Sequence, residues 1–184
     1  FELFETHMQL AESEKNYKAL FEESPLGIFR STPEGKFLEV NPTLASMLGY
    51  PSPESVIENI YSIAEQIYVH SEDRQPIVNE QWPSDKMHHY HNRYQRRDGS
   101  EFVANLYLNT IRDENNEPLY FEGIVEDITD RIEAERQLRF HQAQIESLFK
   151  YSTVAIVMMD LKNHVLNANH AFQELFGFSL EELQ

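Results

Sequence analysis

The chain repeats part of itself, and this repeat constrains its fold more than any other feature of the sequence. When the sequence is shifted by 128 residues, positions 21–56 align with positions 149–184 without a gap. The identical pairs are Phe21/Phe149, Ser24/Ser152, Ile28/Ile156, Leu38/Leu166, Asn41/Asn169, Gly49/Gly177 and Glu54/Glu182. A repeat of this kind indicates one structural module followed by the opening part of a second copy.

The start of the first copy has the pattern of two short strands and a helix. Leu26–Ser31 and Lys36–Val40 flank the segment Thr32–Gly35, in which Pro and Gly favour a tight turn. Asn41 then precedes Pro42. Because Asn accepts hydrogen bonds from free helical N–H groups and Pro suits the first helical position, this pair predicts a helix start.

Three longer strands follow later in the first copy. The alternating patterns of Tyr90–Arg96 and Glu101–Arg112 are separated by Asp98-Gly99, which is a strong hairpin signal. A second polar turn leads into Leu119–Glu126. These strands predict an antiparallel meander that the two early strands join. The predicted fold class is therefore α+β, with a five-stranded antiparallel sheet and helices on one face.

Two amphipathic helices are predicted to flank this sheet. The first covers residues 1–23, with Phe4 and Met8 on its apolar face. The second follows the last strand, with Thr129 or Asp130 as its cap. It carries Ile132, Leu138 and Ile145 along one seam. A helix of this length has an apolar face that one small sheet cannot cover, so the sequence predicts a homodimer that pairs through this seam.

Composition excludes several classes of function. There are 15 basic and 31 acidic residues, a net charge of −16, which argues against nucleic-acid binding because that requires clustered Lys and Arg. The absence of cysteine excludes disulfides and thiolate chemistry, and it fits a cytoplasmic location. No apolar run approaches the roughly 20 residues that span a bilayer, so no membrane segment is predicted.

Several motifs together resemble the PAS domain family. The residues that carry the resemblance are Phe21–Ile28, Glu39–Pro42, Leu48–Tyr50, His70–Arg74, Arg96–Ser100 and Glu122–Arg131, where His70-Ser71-Glu72-Asp73-Arg74 has Ser71 in place of the usual proline. The resemblance implies a flanking helix at 1–23, a complete PAS domain at 24–129, a helical linker at 130–150 and the start of a second PAS domain at 151–184. It also implies a non-catalytic module of a larger histidine kinase or diguanylate cyclase, with an output domain in the same polypeptide.

PAS domains enclose a small pocket, and the resemblance implies which residues line it. Tyr90, Asn92 and Tyr94 share one face of their strand by alternation, and the family likeness turns that face inward. The full set of pocket candidates is Ile28, Met47, Tyr90, Asn92, Tyr94, Ala104, Leu106 and Val125. These side chains either fill the core or contact a small ligand, and an inward amide such as Asn92 requires hydrogen-bond partners in both cases.

The resemblance also bears on cofactors and signalling. Light-sensing relatives use a flavin with a reactive cysteine and a glutamine, but this chain has no cysteine and has Val125 at the glutamine position. Haem requires an axial ligand such as His, but His89 and His91 point outward if Tyr90 points inward, so haem is not expected. No pair of histidines has the tight helical spacing that metal sites favour, and the cofactor stays unknown. Asp127 and Thr129 lie where the last strand becomes the linker helix, the place from which such domains transmit a signal. The two remaining hypotheses are a ligand sensor and a ligand-free dimerisation scaffold.

Overall fold

A computed structural model describes residues 12, 15–79, 87–179 and 182 of the chain. The chain divides into two compact units, Phe1–Thr129 and Asp130–Gln184. The predicted first helix is described at residue 12 and over 15–22 (α1), whereas Phe4 and Met8 lie outside the described residues. Within the described parts, no helix is both long enough and apolar enough to span a bilayer.

The first unit is built on one five-stranded sheet. Its strands are β1 (Gly27–Ser31), β2 (Phe37–Val40), β3 (His88–Gln95), β4 (Glu101–Arg112) and β5 (Pro118–Asp127). They lie in the order β2-β1-β5-β4-β3, and every neighbouring pair is antiparallel. The predicted meander and the addition of the two early strands are both confirmed, and with them the α+β fold class.

Short helices connect β2 to β3. They are α2 (Pro42–Met47), α3 (Pro53–Asn59), α4 (Ile63–Gln66), a 3₁₀ helix (Ser71–Arg74) and α5 (Gln75–Asn79). Asn41, Ser52 and Ser62 cap α2, α3 and α4 by accepting from backbone N–H groups. These capping side chains satisfy donors that a helix start leaves open, which is why each helix begins where it does.

The tight turns fall where the sequence predicts them. Gly35 ends the β1–β2 turn with φ of 92°, and Gly99 ends the β3–β4 hairpin turn with φ of 85°. Both values lie in the left-handed region, which glycine enters without a steric cost. The two turns therefore fix the register of the strands on either side.

The inner face of the sheet forms the core together with the helices. Along β1, Gly27, Phe29 and Ser31 are buried, whereas Ile28 and Arg30 point to the other face. The ring of Phe29 lies over Gly123 of β5, where an added Cβ would come within 2.3 Å of ring atoms. The missing side chain of Gly123 is thus what allows Phe29 to occupy the inner face.

The second unit contains α6 (Thr129–Tyr151, which starts at the last residue of the first unit), β6 (Val157–Met159), β7 (Val165–Ala168) and α7 (His170–Phe176). Its two strands pair antiparallel. None of the described residues of α6 is buried, and Ile132, Leu138 and Ile145 are 40%, 58% and 67% exposed. The described seam residues are thus available for a partner.

The repeat in the sequence is also a repeat in hydrogen bonding. Asn41 Oδ1 accepts from the N–H groups of Ile28 at 2.9 Å and Leu44 at 3.0 Å. In the second unit, Asn169 Oδ1 accepts from Ile156 at 2.8 Å and Phe172 at 3.0 Å. Each asparagine also donates through Nδ2 to a carbonyl that precedes its first strand. The same residue therefore ties strand to helix in both units.

Candidate functional site

A small cavity lies between the inner face of the sheet and the helices. Its volume is about 20 Å³, measured as the space open to the centre of a water molecule. Such a volume holds about one water. Most of its wall is apolar, with Leu44 from α2, Leu48 directly after α2, and Phe29, Leu106 and Val125 from the sheet. Four polar side chains complete the lining, namely Ser31, Tyr68, Arg74 and Tyr94.

The pocket candidates from the sequence are distributed over three environments. Tyr94, Leu106 and Val125 line the cavity. Tyr90, Asn92 and Ala104 belong to the inward-facing side of their strands but are not part of the cavity wall, and Met47 packs against the core while remaining half-buried.

The prediction for Ile28 is wrong. Its side chain lies in a groove on the opposite face of the sheet, next to Tyr107 and Ile124. The strand contains two adjacent apolar residues, Ile28 and Phe29, and Phe29 takes the inner position because Gly123 leaves room for its ring. Alternation along the strand then turns Ile28 outward.

The inward-facing amide of Asn92 makes no close hydrogen bond through its Nδ2 donor to a described residue. The residue is 9% exposed, although its side chain is near enough to the Tyr94 hydroxyl to oppose in part the rise that burial causes in the pKa of that hydroxyl. A buried amide donor without a partner costs free energy, on the order of 1–3 kcal/mol. Asn92 is therefore a candidate contact for a water or ligand in the core.

A pair of tyrosines forms one side of the cavity. Tyr94 donates to the Tyr68 hydroxyl over 3.3 Å, and the two rings meet edge to face. Burial raises the pKa of both hydroxyls, and the pKa of Tyr94, which is 4% exposed, lies well above its usual value. Both hydroxyls therefore stay protonated at neutral pH. The sequence reasoning did not find Tyr68, which lies in an irregular segment bridged to β3.

Arg74 is the least expected residue of the wall. It ends the His70–Arg74 motif and is only 7% exposed. Its guanidinium donates to the Thr32 carbonyl at 3.4 Å, and no described carboxylate lies within ion-pair distance of it. Burial lowers the pKa of this guanidinium, although the neighbouring Tyr68 and Tyr94 oppose the effect. The sequence motif contained Arg74, but nothing in the local pattern indicated that it is buried.

The start of α6 is held by a cluster around Asp127. The Asp127 carboxylate accepts from Thr129 N–H at 3.0 Å, from Thr129 Oγ1 at 2.6 Å and from Arg96 Nη2 at 2.6 Å. Thr129 Oγ1 in turn accepts from the Val103 N–H of β4 at 2.9 Å. Partial burial would raise the pKa of Asp127, but the bonds from Thr129 and Arg96 lower it below its usual range. Asp127, rather than Thr129 or Asp130, is thus the side chain that accepts at this helix start.

Arg96 connects this cluster to a wall of the cavity. Its guanidinium binds Asp127, stacks over the Phe102 ring at 4.3 Å and donates to the carbonyl of Met47. Met47 is the last residue of α2, whose Leu44 lines the cavity. A continuous set of contacts therefore runs from the cavity wall to the first turn of α6.

The described residues contain no group of three or more His, Asp or Glu side chains arranged to hold a metal ion. His89 and His91 lie on the exposed face of β3, and His89 stacks on Tyr107 with ring centroids 4.7 Å apart.

A single antiparallel sheet that closes a small cavity beneath short helices, with a helix leaving its last strand, defines a class of sensory and regulatory domains. The PAS domain family matches residues 25–130, and a second PAS domain match covers residues 143–184. The chain belongs to the PAS domain family. No curated protein sequence matches it.

Solved structures with the same fold include signalling proteins. The PAS domain of an HTR-like protein from Haloarcula marismortui is 29% identical, with a TM-score of 0.55, and the match covers 67% of this chain and 98% of that chain. A sensory box histidine kinase/response regulator from Burkholderia thailandensis is 17% identical, with a TM-score of 0.54 and coverage of 72% and 98%.

One further match is a light-sensing protein. An RNA-binding light-oxygen-voltage receptor is 22% identical, with a TM-score of 0.53 and coverage of 75% of this chain and 39% of that chain. The likeness to the histidine kinase/response regulator and to the light-oxygen-voltage receptor shows the fold alone. As a PAS domain, the first unit is a sensory module and not itself a catalyst.

Proposed function

We propose that this chain is the sensory part of a larger bacterial signalling protein of the histidine kinase or diguanylate cyclase type. In this proposal the PAS domain covers residues 24–129, residues 130–150 form the linker, and residues 151–184 begin the second PAS domain. The protein is cytoplasmic and acts as a homodimer. A small ligand or partner changes the core of the PAS domain, and α6 carries that change to an output domain in the same polypeptide.

The main support for this proposal is the set of contacts that Arg96 makes. Arg96 binds the last carbonyl of α2 and also the Asp127 carboxylate, which accepts from the first residue of α6. Because α2 forms part of the cavity wall, a shift of α2 changes the position of the Arg96 guanidinium. Coupling of this kind requires contacts with two alternative arrangements that both sites influence.

A double-mutant cycle tests the coupling without any knowledge of the ligand. Leu48→Val alters the cavity wall next to α2, and Asp127→Asn removes the charge at the start of α6. We expect their effects on the free energy of unfolding to deviate from additivity by more than about 0.5 kcal/mol. Ile63→Val, a cavity residue on α4, is the matched control and is expected to be additive with Asp127→Asn. If the changes in the free energy of unfolding are additive for both pairs of substitutions, the proposed coupling through Arg96 is contradicted.

A ligand-free scaffold is the second candidate function, and the small cavity favours it. A cavity of about 20 Å³ holds about one water. Mass spectrometry of the native protein distinguishes the two functions. A bound small molecule that raises the melting temperature when it is added back supports the sensor. A mass equal to that of the chain alone, together with no response to any small molecule, supports the scaffold.

A further inference from the structure

The polar residues of the cavity wall all offer hydrogen-bond donors. Arg74 has only donors, and the hydroxyls of Ser31, Tyr68 and Tyr94 each carry one proton. Tyr94 donates its proton to the Tyr68 oxygen, so Tyr68 keeps its own proton for another acceptor. The wall therefore favours a ligand that brings acceptors.

The charge of Arg74 is not balanced by the protein. The residue is 7% exposed and binds the Thr32 carbonyl at 3.4 Å, and within the described chain no Asp or Glu lies within 4.0 Å of its guanidinium. A buried charge is costly unless a counter-charge accompanies it. An anion bound at this position would supply the missing partner.

Ser31, the last residue of β1, gives an independent indication from the sheet side of the cavity wall. It is completely buried, and its Oγ has no hydrogen-bond partner among the described residues. Thr32, whose carbonyl binds Arg74, is the next residue in the chain. The unpaired hydroxyl of Ser31 therefore lies in the same cavity as the unpaired charge of Arg74.

Arg74 also provides a way into the cavity. It contributes to the cavity wall and to a surface groove of about 330 Å³ that includes Ser62, Ser71 and Val78. This volume is large enough for the body of a small organic acid. A ligand in the groove can reach Arg74 without crossing the sheet.

We propose that the PAS domain binds a small organic carboxylate, whose head group contacts Arg74 and the hydroxyls of Tyr68 and Ser31 in the core cavity. This inference rests on the proposed sensory function and gives the chemical class of the ligand. The carboxylate fits because it brings one negative charge and several acceptor lone pairs to a wall on which the Arg74 guanidinium has only donors and each hydroxyl has one.

Sodium propionate, propionamide and sodium chloride at equal concentrations test this proposal on the full chain. Propionamide has nearly the same shape without the charge, and chloride controls for ionic strength. We expect propionate to raise the melting temperature and to give a saturable titration in calorimetry, whereas the other two produce neither effect.

Arg74→Met is the decisive variant, with Arg93→Met as its matched control. Arg93 is an exposed arginine on the outward side of β3, so its replacement removes the same charge away from the cavity. We expect Arg74→Met to weaken propionate binding at least about tenfold and Arg93→Met to change it by less than about twofold. Without ligand, Arg74→Met is expected to melt at or above the wild-type temperature, because an unpaired buried charge has been removed.

Tyr68→Phe tests the same site if Arg74→Met fails to fold, and it is expected to weaken propionate binding severalfold. Propionate binding that is unaffected by both variants would overturn the assignment to this cavity. Equal responses to propionate and propionamide, or no response to propionate, would overturn the ligand class. The double-mutant cycle between Leu48 and Asp127 does not depend on propionate, so it tests the proposed sensory function even if the proposed ligand class is wrong.

Discussion

At the scale of single residues, a few buried polar side chains determine how this PAS domain is built, and two of them are the basis of the ligand class that we propose. Asn41 and Asn169 each join a strand to the helix that follows, through the same set of bonds in two units. Asp127 joins the sheet to the first turn of α6. Arg74 and Ser31 differ from these residues: Arg74 donates to the Thr32 carbonyl but has no described carboxylate as a counter-charge, and the Ser31 hydroxyl has no hydrogen-bond partner among the described residues.

Replacing Asp127 with Asn should make the domain less stable in a way that depends on pH. The bonds from Thr129 and Arg96 lower the pKa of Asp127 in the folded state, whereas in the unfolded state it is about 3.9. The stabilisation is therefore complete above about pH 4 and is lost as the pH falls through the lower, folded-state pKa. We expect Asp127→Asn to cost about 1–3 kcal/mol at neutral pH, and the difference from wild type to shrink below about pH 4.

Urea unfolding at a series of pH values measures this effect. Glu114→Gln, which removes an exposed carboxylate in the β4–β5 turn, is the control and is expected to change stability by less than about 0.5 kcal/mol. A cost for Asp127→Asn that stays constant down to the acid transition would show that the charge of Asp127 does not contribute.

The residue scale is also where prediction from sequence reached its limit. Asn41 as a helix cap and the inward position of Tyr94 follow from local patterns and from the family likeness. For α6, the local pattern indicated Thr129 or Asp130, and not Asp127, as the cap. Ile28 was assigned to the wrong face because its neighbour Phe29 is equally apolar, and only the distant Gly123 decides between them. Arg74 was missed because arginine is normally exposed, and its burial depends on elements far from it in the sequence.

At the scale of elements, turns and caps made the strands and short helices predictable. Gly35 and Gly99 adopt the positive φ values that their turns require, and the prolines of α2 and α3 occupy first helical positions. The order of the strands follows from the pairing of β1 with β5, which local patterns do not contain. The long helix α6 was predicted as well. That it packs against the same helix of a second copy of the chain remains a prediction.

The exposed seam of α6 is expected to form the dimer. Ile132→Glu with Leu138→Glu places two charges in the seam, which an apolar interface does not tolerate. Light scattering should then report a monomer that still unfolds cooperatively. Gln137→Glu with Ala143→Glu adds two negative charges to exposed positions outside the seam and should leave the dimer intact. A wild-type chain that is monomeric at micromolar concentration would contradict the proposal.

At the scale of the whole molecule, one chain contains a five-stranded sheet in the first unit and a two-stranded sheet in the second. The repeated cap allows a direct comparison, because equivalent amides make equivalent bonds in both units. Several large apolar side chains of the second unit, including Met158, Leu175 and Phe176, are about half exposed or more. A two-stranded sheet is marginally stable on its own.

Hydrogen exchange at two matched amides tests this difference. The Ile28 N–H donates to Asn41 at 2.9 Å, and the Ile156 N–H donates to Asn169 at 2.8 Å. We expect the Ile28 amide to exchange only on unfolding of its unit, and the Ile156 amide to exchange at least about two orders of magnitude faster. NMR of the full chain measures both rates in one sample. Equal protection would show that the second unit is stabilised as strongly as the first.

The position of β1 between β2 and β5 has a consequence for how the protein is made. Arg30 of β1 and Glu122 of β5 form an ion pair although they are 92 residues apart in sequence. During synthesis from the N-terminus, nearly the whole domain is therefore made before β5, the second neighbour of β1, becomes available for pairing. Contacts of such long range form slowly. β5 ends at Asp127, which anchors the first turn of α6. The last strand of the sheet and the first turn of α6 are therefore synthesised together. The bonds between Asp127 and the start of α6 form in their native place only when β5 pairs with its neighbours.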